Sequence, residues 1–158
     1  MLRRGHPRWT RRLFGPGDLE AIAAAVGEAE KTTSAEIRVH LDRRLPTHAG
    51  VPDGDALAHA RHVFVRLRMH ETTHRNGVLV YLAVEDRKLA IVGDDAIHAH
   101  VGDQYWTAVR DAMVERLRRG QAREAIVHAV RDVGGILQRF FPHQPDDRNE
   151  LSDEVSLG

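Results

Sequence analysis

The sequence contains no cysteine, so disulfides, thiolate metal sites and a cysteine nucleophile are all excluded. An excess of one charge is missing as well, because 23 Lys and Arg residues balance 23 Asp and Glu residues. This balance removes the usual electrostatic argument for binding nucleic acid or an anionic membrane. Any chemistry in this chain must therefore use oxygen, imidazole or backbone groups.

Long apolar segments are also missing. The basic N-terminal residues are not followed by the apolar stretch of a signal peptide, and no window approaches the roughly 18 apolar residues of a membrane span. We therefore expect no membrane span and a cytoplasmic location. The P-loop, nucleophile-elbow and dinucleotide-binding glycine motifs do not occur either, so those three functional classes have no support.

The length and composition fit one globular domain with an ordinary core. An N-terminal arm without a periodic pattern offers Trp9, Leu13 and Phe14 as docking residues. A tail rich in Pro and Asp offers Leu151 and Val155 for attachment. The predicted division is an arm at residues 1–17, a domain at 18–141 and a tail at 142–158.

The longest apolar run lies at residues 78–84 and is rich in β-branched residues. Such a run favours a strand that is covered on both faces. The polar turn Glu85-Asp86-Arg87 follows, and residues 88–92 resume the apolar pattern. This arrangement predicts a hairpin whose second strand runs antiparallel to the first.

Residues 35–42 alternate strictly between apolar and polar side chains, which predicts a strand with one covered and one open face. The covered face would carry Ile37, Val39 and Leu41, and the open face Glu36, Arg38, His40 and Asp42. A predicted helix separates this strand from the strand at 78–84. The resulting strand–helix–strand unit implies that the two strands are parallel.

Helical spacing of apolar residues predicts four main helices. The first follows Asp18, the second runs from about Asp55 to near Met69, the third ends at Gly120, and the last carries apolar positions from 122 to 137. A short helical turn is predicted at residues 96–101. Adjacent glycines at 134 and 135 would each destabilise the last helix by roughly 1 kcal/mol, so we expect another element to pack closely there.

The strand directions bring polar residues to one edge of the predicted sheet. Glu36 precedes the first strand, Asn76 precedes its parallel neighbour, and Asp94 and Asp95 follow the antiparallel strand. Asp103 begins the next helix and can reach the same place. Carboxylates and an amide are what Ca²⁺ or Mg²⁺ requires, and such close carboxylates would repel one another without a cation. We predict these five residues as metal ligands.

Each of the five residues also has an ordinary structural interpretation. Asp94 or Asp95 could cap the helical turn that follows, and Asp103 could cap the next helix. Asn76 could serve the turn before its strand, and Glu36 could lie in solvent.

The opposite edge of the sheet collects Asp42, Arg43, Arg44 and the turn at residues 85–87. The carboxyl ends of parallel strands usually bind ligands in open sheets, so this rule points away from the acidic edge. We favour the acidic edge, because mixed charges in an exposed turn can pair with one another.

The histidines form no zinc motif, and we expect scattered surface imidazoles. The closely spaced pairs are His59 and His62, His70 and His74, and His98 and His100.

Several stretches together resemble the TPM domain family, over residues 18–141. They are TTSAEIRV at 32–39, the A-x-x-x-F pattern at 60–64, NGVLVY at 76–81, AVEDRK at 83–88 and the following Gly93. The resemblance implies a three-layer α/β/α sandwich around a small mixed, mostly parallel sheet with a β-hairpin. It also implies binding of divalent cations in an acidic pocket, and phosphatase activity is ascribed to some members.

We therefore expect a domain that binds Ca²⁺ or Mg²⁺ and has a structural or regulatory role. The alternative is a metal-dependent phosphomonoester hydrolase, acid phosphatase-like, in which the metal activates water, because the chain offers no strong nucleophile of its own. A third interpretation is an interaction protein with a vestigial pocket and an unidentified protein partner.

Overall fold

The computed structural model describes residues 5–47, 52–145 and 153–158. These residues form an open four-stranded sheet with helices on both faces. The main elements are α1 (Asp18–Glu30), β1 (Ile37–Asp42), α2 (Ala56–Arg66), β2 (Val78–Ala83), β3 (Lys88–Gly93), α3 (Asp95–Arg118), α4 (Ala122–Phe140) and β4 (Ser156–Leu157). Short 3-10 turns lie at Arg8–Arg12 and Met69–Glu71.

The strand order is β3-β2-β1-β4. β1 and β2 are parallel with Ile37 opposite Val78, and β2 and β3 are antiparallel with Val78 opposite Gly93. The predicted parallel pair and hairpin are therefore confirmed. β4 adds a parallel pairing to the outer side of β1, which the sequence did not predict because two residues carry no periodic signal.

The core lies in two layers, one on each face of the sheet. The helices α1, α3 and α4 cover the face that carries Val78, Val80 and Leu82, whereas α2 covers the face that carries Leu79 and Tyr81. β2 is buried at every position, as its continuous apolar run predicted. The three-layer α/β/α arrangement around a mixed, mostly parallel sheet is confirmed.

The second face of β1 is not open, and this prediction was wrong. His40 and Asp42 are buried on that face, where they hydrogen-bond to each other and to neighbouring polar side chains. Alternation of polar residues indicates exposure only when those residues lack buried partners. Here the partners come from α2 and β2.

The helix α3 contains a kink. Gly102 has φ 74° and ψ 175°, so the turn predicted at 96–101 and the helix after it are joined across one non-helical glycine. Farther along, a Cβ at Gly134 would lie 2.9 Å from the Cβ of Ala29. The predicted close packing is therefore confirmed at Gly134, but Gly135 faces open space.

The arm docks as predicted, because Phe14 is buried and Trp9 and Leu13 pack against the larger core layer. Val155 packs there too, whereas Leu151 lies outside the described residues. None of the helices in the described ranges is long and apolar enough to cross a bilayer.

Candidate functional site

The amino ends of β1 and β2 and the carboxyl end of β3 meet at one edge of the sheet. The amide of Val78 donates to the Glu36 carbonyl at 2.9 Å, and the amide of Asp94 donates to the Gly77 carbonyl at 2.9 Å. The strand directions thus place Glu36, Asn76 and Asp94 on three adjacent chain segments, as the sequence predicted. We call this region the acidic edge.

The five predicted ligands differ in burial. Glu36, Asn76 (1 % exposed) and Asp94 (8 % exposed) are buried at the acidic edge. Asp95 is exposed on the first turn of α3. Asp103 follows the Gly102 kink with a side chain that is 95 % exposed, and its carboxylate lies 3.7 Å from the His98 imidazole. The structure therefore buries three of the five residues and places the other two at the surface.

Asp94 is the N-cap of α3. Its backbone is extended, and its Oδ1 accepts a hydrogen bond from the amide of Asp95 at 2.7 Å. Burial raises the pKa of Asp94 and the charge of Asp95 adds to this effect, whereas Arg75 and His70 oppose it. The capping role considered from the sequence is thus confirmed. Capping occupies only one carboxylate oxygen, because Oδ2 is buried without a hydrogen-bond partner in the described part of the chain.

Three polar side chains in the segment before β2 also have buried atoms without a hydrogen bond among the described residues. They are the Nδ1 of His70, the Oγ1 of Thr72 and the Nδ2 of Asn76. A buried polar atom without a partner costs about 1–3 kcal/mol, so its presence calls for a ligand, a water molecule or another explanation. Sequence reasoning missed Thr72, because a threonine in a loop carries no pattern that predicts its burial.

Glu36 belongs to a second group of carboxyl groups that the sequence did not reveal. Burial, followed by hydrogen bonds with Asp153 and Glu36, raises the pKa of Glu30 far above its ordinary value. The Glu30 Oε2 also accepts a hydrogen bond from the Ile37 amide at 3.1 Å. Carboxyl groups this close cannot all ionise. Asp153 lies more than a hundred residues after Glu30 and Glu36, so only the fold could show its contact with them.

The described residues contain no group of three or more His, Asp or Glu side chains arranged to hold a metal ion. A cation at the acidic edge would therefore combine a small number of carboxylates with neutral oxygen ligands. Asn76 and Thr72 can supply such ligands, since an amide carbonyl and a hydroxyl both coordinate hard cations.

On the face of the sheet that α2 covers, buried polar side chains surround Asp42. His40 Nε2 lies 3.0 Å from Oδ1, His59 Nε2 lies 3.0 Å from Oδ2, and the Tyr81 hydroxyl donates to Oδ2 at 2.7 Å. The other ring nitrogen of His40 lies 2.8 Å from the Ser156 hydroxyl. The expectation of surface imidazoles is thus wrong for His59, which α2 positions over the sheet.

The Asp42 network has the electrostatics of a closed structural group. Burial alone would raise the pKa of Asp42, but the hydrogen bonds from His40 and Tyr81 outweigh it and lower the pKa to about 2. Both carboxylate oxygens are occupied by protein donors. The network therefore holds β1, β2, α2 and β4 together, and three protein donors satisfy Asp42 without a ligand.

The acids of the turn between β2 and β3 pair with protein groups, as expected, although these partners lie in the segment after β1 and not in the turn itself. Glu85 accepts from Arg43 Nε at 3.1 Å and from Arg44 Nε at 2.6 Å. Asp86 accepts from the Leu45 amide at 2.6 Å. These acids are thus satisfied without a ligand.

Comparisons with known proteins agree with the fold. No match was found among functionally curated proteins. The NMR structure of the BA42 protein from the psychrophilic bacterium Bizionia argentinensis is similar over 92 % of this chain and 95 % of its own, with 35 % identity and a TM-score of 0.79. The N-terminal domain of a P. gingivalis protein shares the fold at 20 % identity and a TM-score of 0.56, over 84 % of this chain and 83 % of its own. The sequence model of the TPM domain matches residues 10–136, and the chain belongs to the TPM domain family.

Proposed function

We propose that this TPM domain binds a divalent cation, Ca²⁺ or Mg²⁺, at the acidic edge and that binding has a structural or regulatory role. The observation that supports the proposal is the Asp94 Oδ2 atom, which is buried without a hydrogen-bond partner among the described residues, as are Asn76 Nδ2 and Thr72 Oγ1 in the segment before β2. A carboxylate oxygen in such a position is stabilised by a cation, which replaces the hydration that burial removed.

The proposed ligands divide into an inner and an outer set. Asp94 Oδ2 and a Glu36 carboxylate oxygen are the charged inner ligands, and the Asn76 amide presents its oxygen after a rotation of 180° about its last torsion. Asp95 and Asp103 are exposed and form the outer set, which attracts the cation and can hold its water molecules. Both Ca²⁺ and Mg²⁺ accept a mixture of protein oxygen and water.

Calorimetric titration of chelator-treated protein with Ca²⁺ and with Mg²⁺ tests the proposal. We expect saturable heat for the wild type and none for Asp94→Asn. The matched control is Asp111→Asn, which makes the same change at an exposed ion-paired position of α3 and should bind normally. If the wild type gave no heat with Ca²⁺ and none with Mg²⁺ at millimolar concentration, a site for these cations would be excluded.

The alternative function is hydrolysis of a phosphomonoester by a water molecule that the cation activates. The observation in its favour is the positive charge of Arg75, which lies close enough to Asp94 to lower its pKa and could hold a phosphate. Turnover of p-nitrophenyl phosphate tests this function. The activity must disappear in Asp94→Asn, because activity that persists in this variant comes from a contaminating phosphatase.

A further inference from the structure

A groove lies between the start of α2 and the middle of α3. It encloses about 670 Å³ beside β3, near the turn that joins β2 to β3. This volume is within the range of roughly 300–1,000 Å³ that is typical of ligand sites. Its apolar lining consists mainly of Leu57, Leu89, Ile91, Trp106 and Val114.

The edge strand of the sheet runs along the floor of this groove. β3 is the last strand in the order, and no described strand pairs with its outer side. The amide of Asp94 donates to Gly77, which immediately precedes β2, so in an antiparallel ladder the backbone groups of Ala90 and Val92 also face β2. The N–H and C=O groups of Leu89 and Ile91 then face the groove. Such unpaired backbone groups can hydrogen-bond to another extended chain.

The rim of the groove is positively charged. Arg87, Lys88 and Arg110 line it, together with the single acid Asp55. The Asp55 carboxylate already caps α2 by accepting from the Ala58 amide at 2.9 Å. The acids that precede Arg87 in the turn bind to Arg43, Arg44 and Leu45 instead. Arg110 pairs with the exposed carboxylate of Asp111 at 3.2 Å, and Lys88 Nζ donates to the Gly54 carbonyl at 3.1 Å. With Asp111 counted, the three cations at the rim still exceed the two acids by one.

An apolar contact point accompanies this charge. Leu57 is 41 % exposed at the rim, and only one other large hydrophobic side chain of the described residues is that open to solvent. The groove thus combines a strand edge, cations and an exposed leucine.

We infer that this groove accepts an extended acidic segment of a partner protein, which adds to β3 as a further strand. Main-chain hydrogen bonds to Leu89 and Ile91 supply the pairing, as in other strand-addition complexes. Acidic side chains of the segment bind Lys88 and Arg110, and an apolar side chain packs on Leu57. The electrostatic match favours an acidic segment over a basic one.

Trp106 provides the measurement, because it lines the groove and the chain has only one other tryptophan, Trp9. A Trp9→Phe background leaves Trp106 as the sole tryptophan. The probe is an acetylated, amidated hexapeptide of alternating Glu and Val. We expect a saturable fluorescence change that Arg110→Glu weakens by roughly tenfold or more. The control Arg118→Glu reverses a charge on the same helix outside the groove and should leave binding unchanged.

Three results would overturn the proposal. The first is no response to the acidic peptide at millimolar concentration, or an equal response to a peptide of alternating Lys and Val. The second is equal binding of the acidic peptide when alternate backbone nitrogens are methylated, because methylation blocks strand pairing. The third is a different occupant, shown by a response to dodecanoate alone or by a concentration-dependent dimer that Arg110→Glu dissociates.

Discussion

Asp42 is a single side chain on which two strands and a helix depend. Its carboxylate is 5 % exposed and accepts hydrogen bonds from three side chains. A buried carboxylate is tolerated only when donors replace its hydration. Here they do so well enough that the pKa falls to about 2 despite burial.

This low pKa predicts a specific acid response. An unfolded Asp has a pKa of about 3.9, so the ionised network stabilises the fold above that pH, and the stabilisation disappears as the pH falls through about 2. Its size is about 2 kcal/mol. Asp42→Asn lacks this contribution at every pH. Urea unfolding at pH 5 and pH 2 should therefore show a difference between wild type and variant that shrinks in acid, and a constant difference would contradict the assignment.

The raised pKa of Glu30 predicts that stability responds to pH in the opposite direction. Burial and the neighbouring carboxyl groups of Asp153 and Glu36 raise its pKa, so the protonated form stabilises the fold at low pH. That stabilisation is lost as the pH rises above the ordinary value for Glu. Glu30→Gln, which resembles the protonated acid, should be more stable than the wild type at pH 8 and about equal at pH 4.

Thermal unfolding of Glu30→Gln at both pH values measures this effect. Glu28→Gln is the control, since Glu28 is exposed on the same helix and pairs with Lys31. An equal gain from both variants at pH 8 would show that general helix charge is responsible, and not the carboxyl group at position 30.

Among the elements, α4 offers a matched pair of glycines. Gly134 packs against Ala29 of α1, where a Cβ would come within 2.9 Å, whereas no atom lies near a Cβ at Gly135. Gly135→Ala should stabilise the protein by about 1 kcal/mol through helix propensity. Gly134→Ala should destabilise it, because α1 and α4 would have to separate. Denaturant unfolding of the two variants decides, and similar effects of both would contradict the close packing.

Elements with a sustained pattern could be predicted from the sequence. The apolar run of β2 and the stripes of α1 and α4 specify their type and burial without help from the rest of the chain. The alternation of apolar and polar residues in β1 led to a wrong prediction of an open face, because the hydrogen bonds that make burial of His40 and Asp42 possible form only when α2 covers them. β4 could not be predicted, since a two-residue strand exists only through its pairing with β1.

The candidate site divides in the same way. Strand direction alone placed Asn76 and Asp94 at one edge, because the direction of a strand determines where its ends lie. The exposure of Asp103 depends on the Gly102 kink, and the burial of Thr72 depends on a loop. Those features follow from local backbone geometry that residue spacing does not encode.

On the scale of the whole molecule, the two ends of the sheet have different electrostatic designs. At the end where β2 meets β3, the described acids are paired with Arg43, Arg44 and a backbone amide. At the acidic edge, a buried Asp94 oxygen lacks a hydrogen-bond donor among the described residues. A cation is therefore expected to stabilise the fold from the acidic edge.

Melting curves with and without Ca²⁺ test which end responds. A ligand at a hundredfold excess over its dissociation constant stabilises the native state by about 2.7 kcal/mol. Asp94→Asn should keep its apo stability, because Asn caps a helix as well as Asp and removes a buried charge, but it should lose the gain from Ca²⁺. Asp95→Asn should raise apo stability slightly and also reduce the gain. Asp86→Asn should melt earlier, since it weakens the bond to the Leu45 amide, yet retain the full gain. If Asp86→Asn lost the stability gain from Ca²⁺ and Asp94→Asn kept it, the ligand would bind at the carboxyl ends of the parallel strands instead.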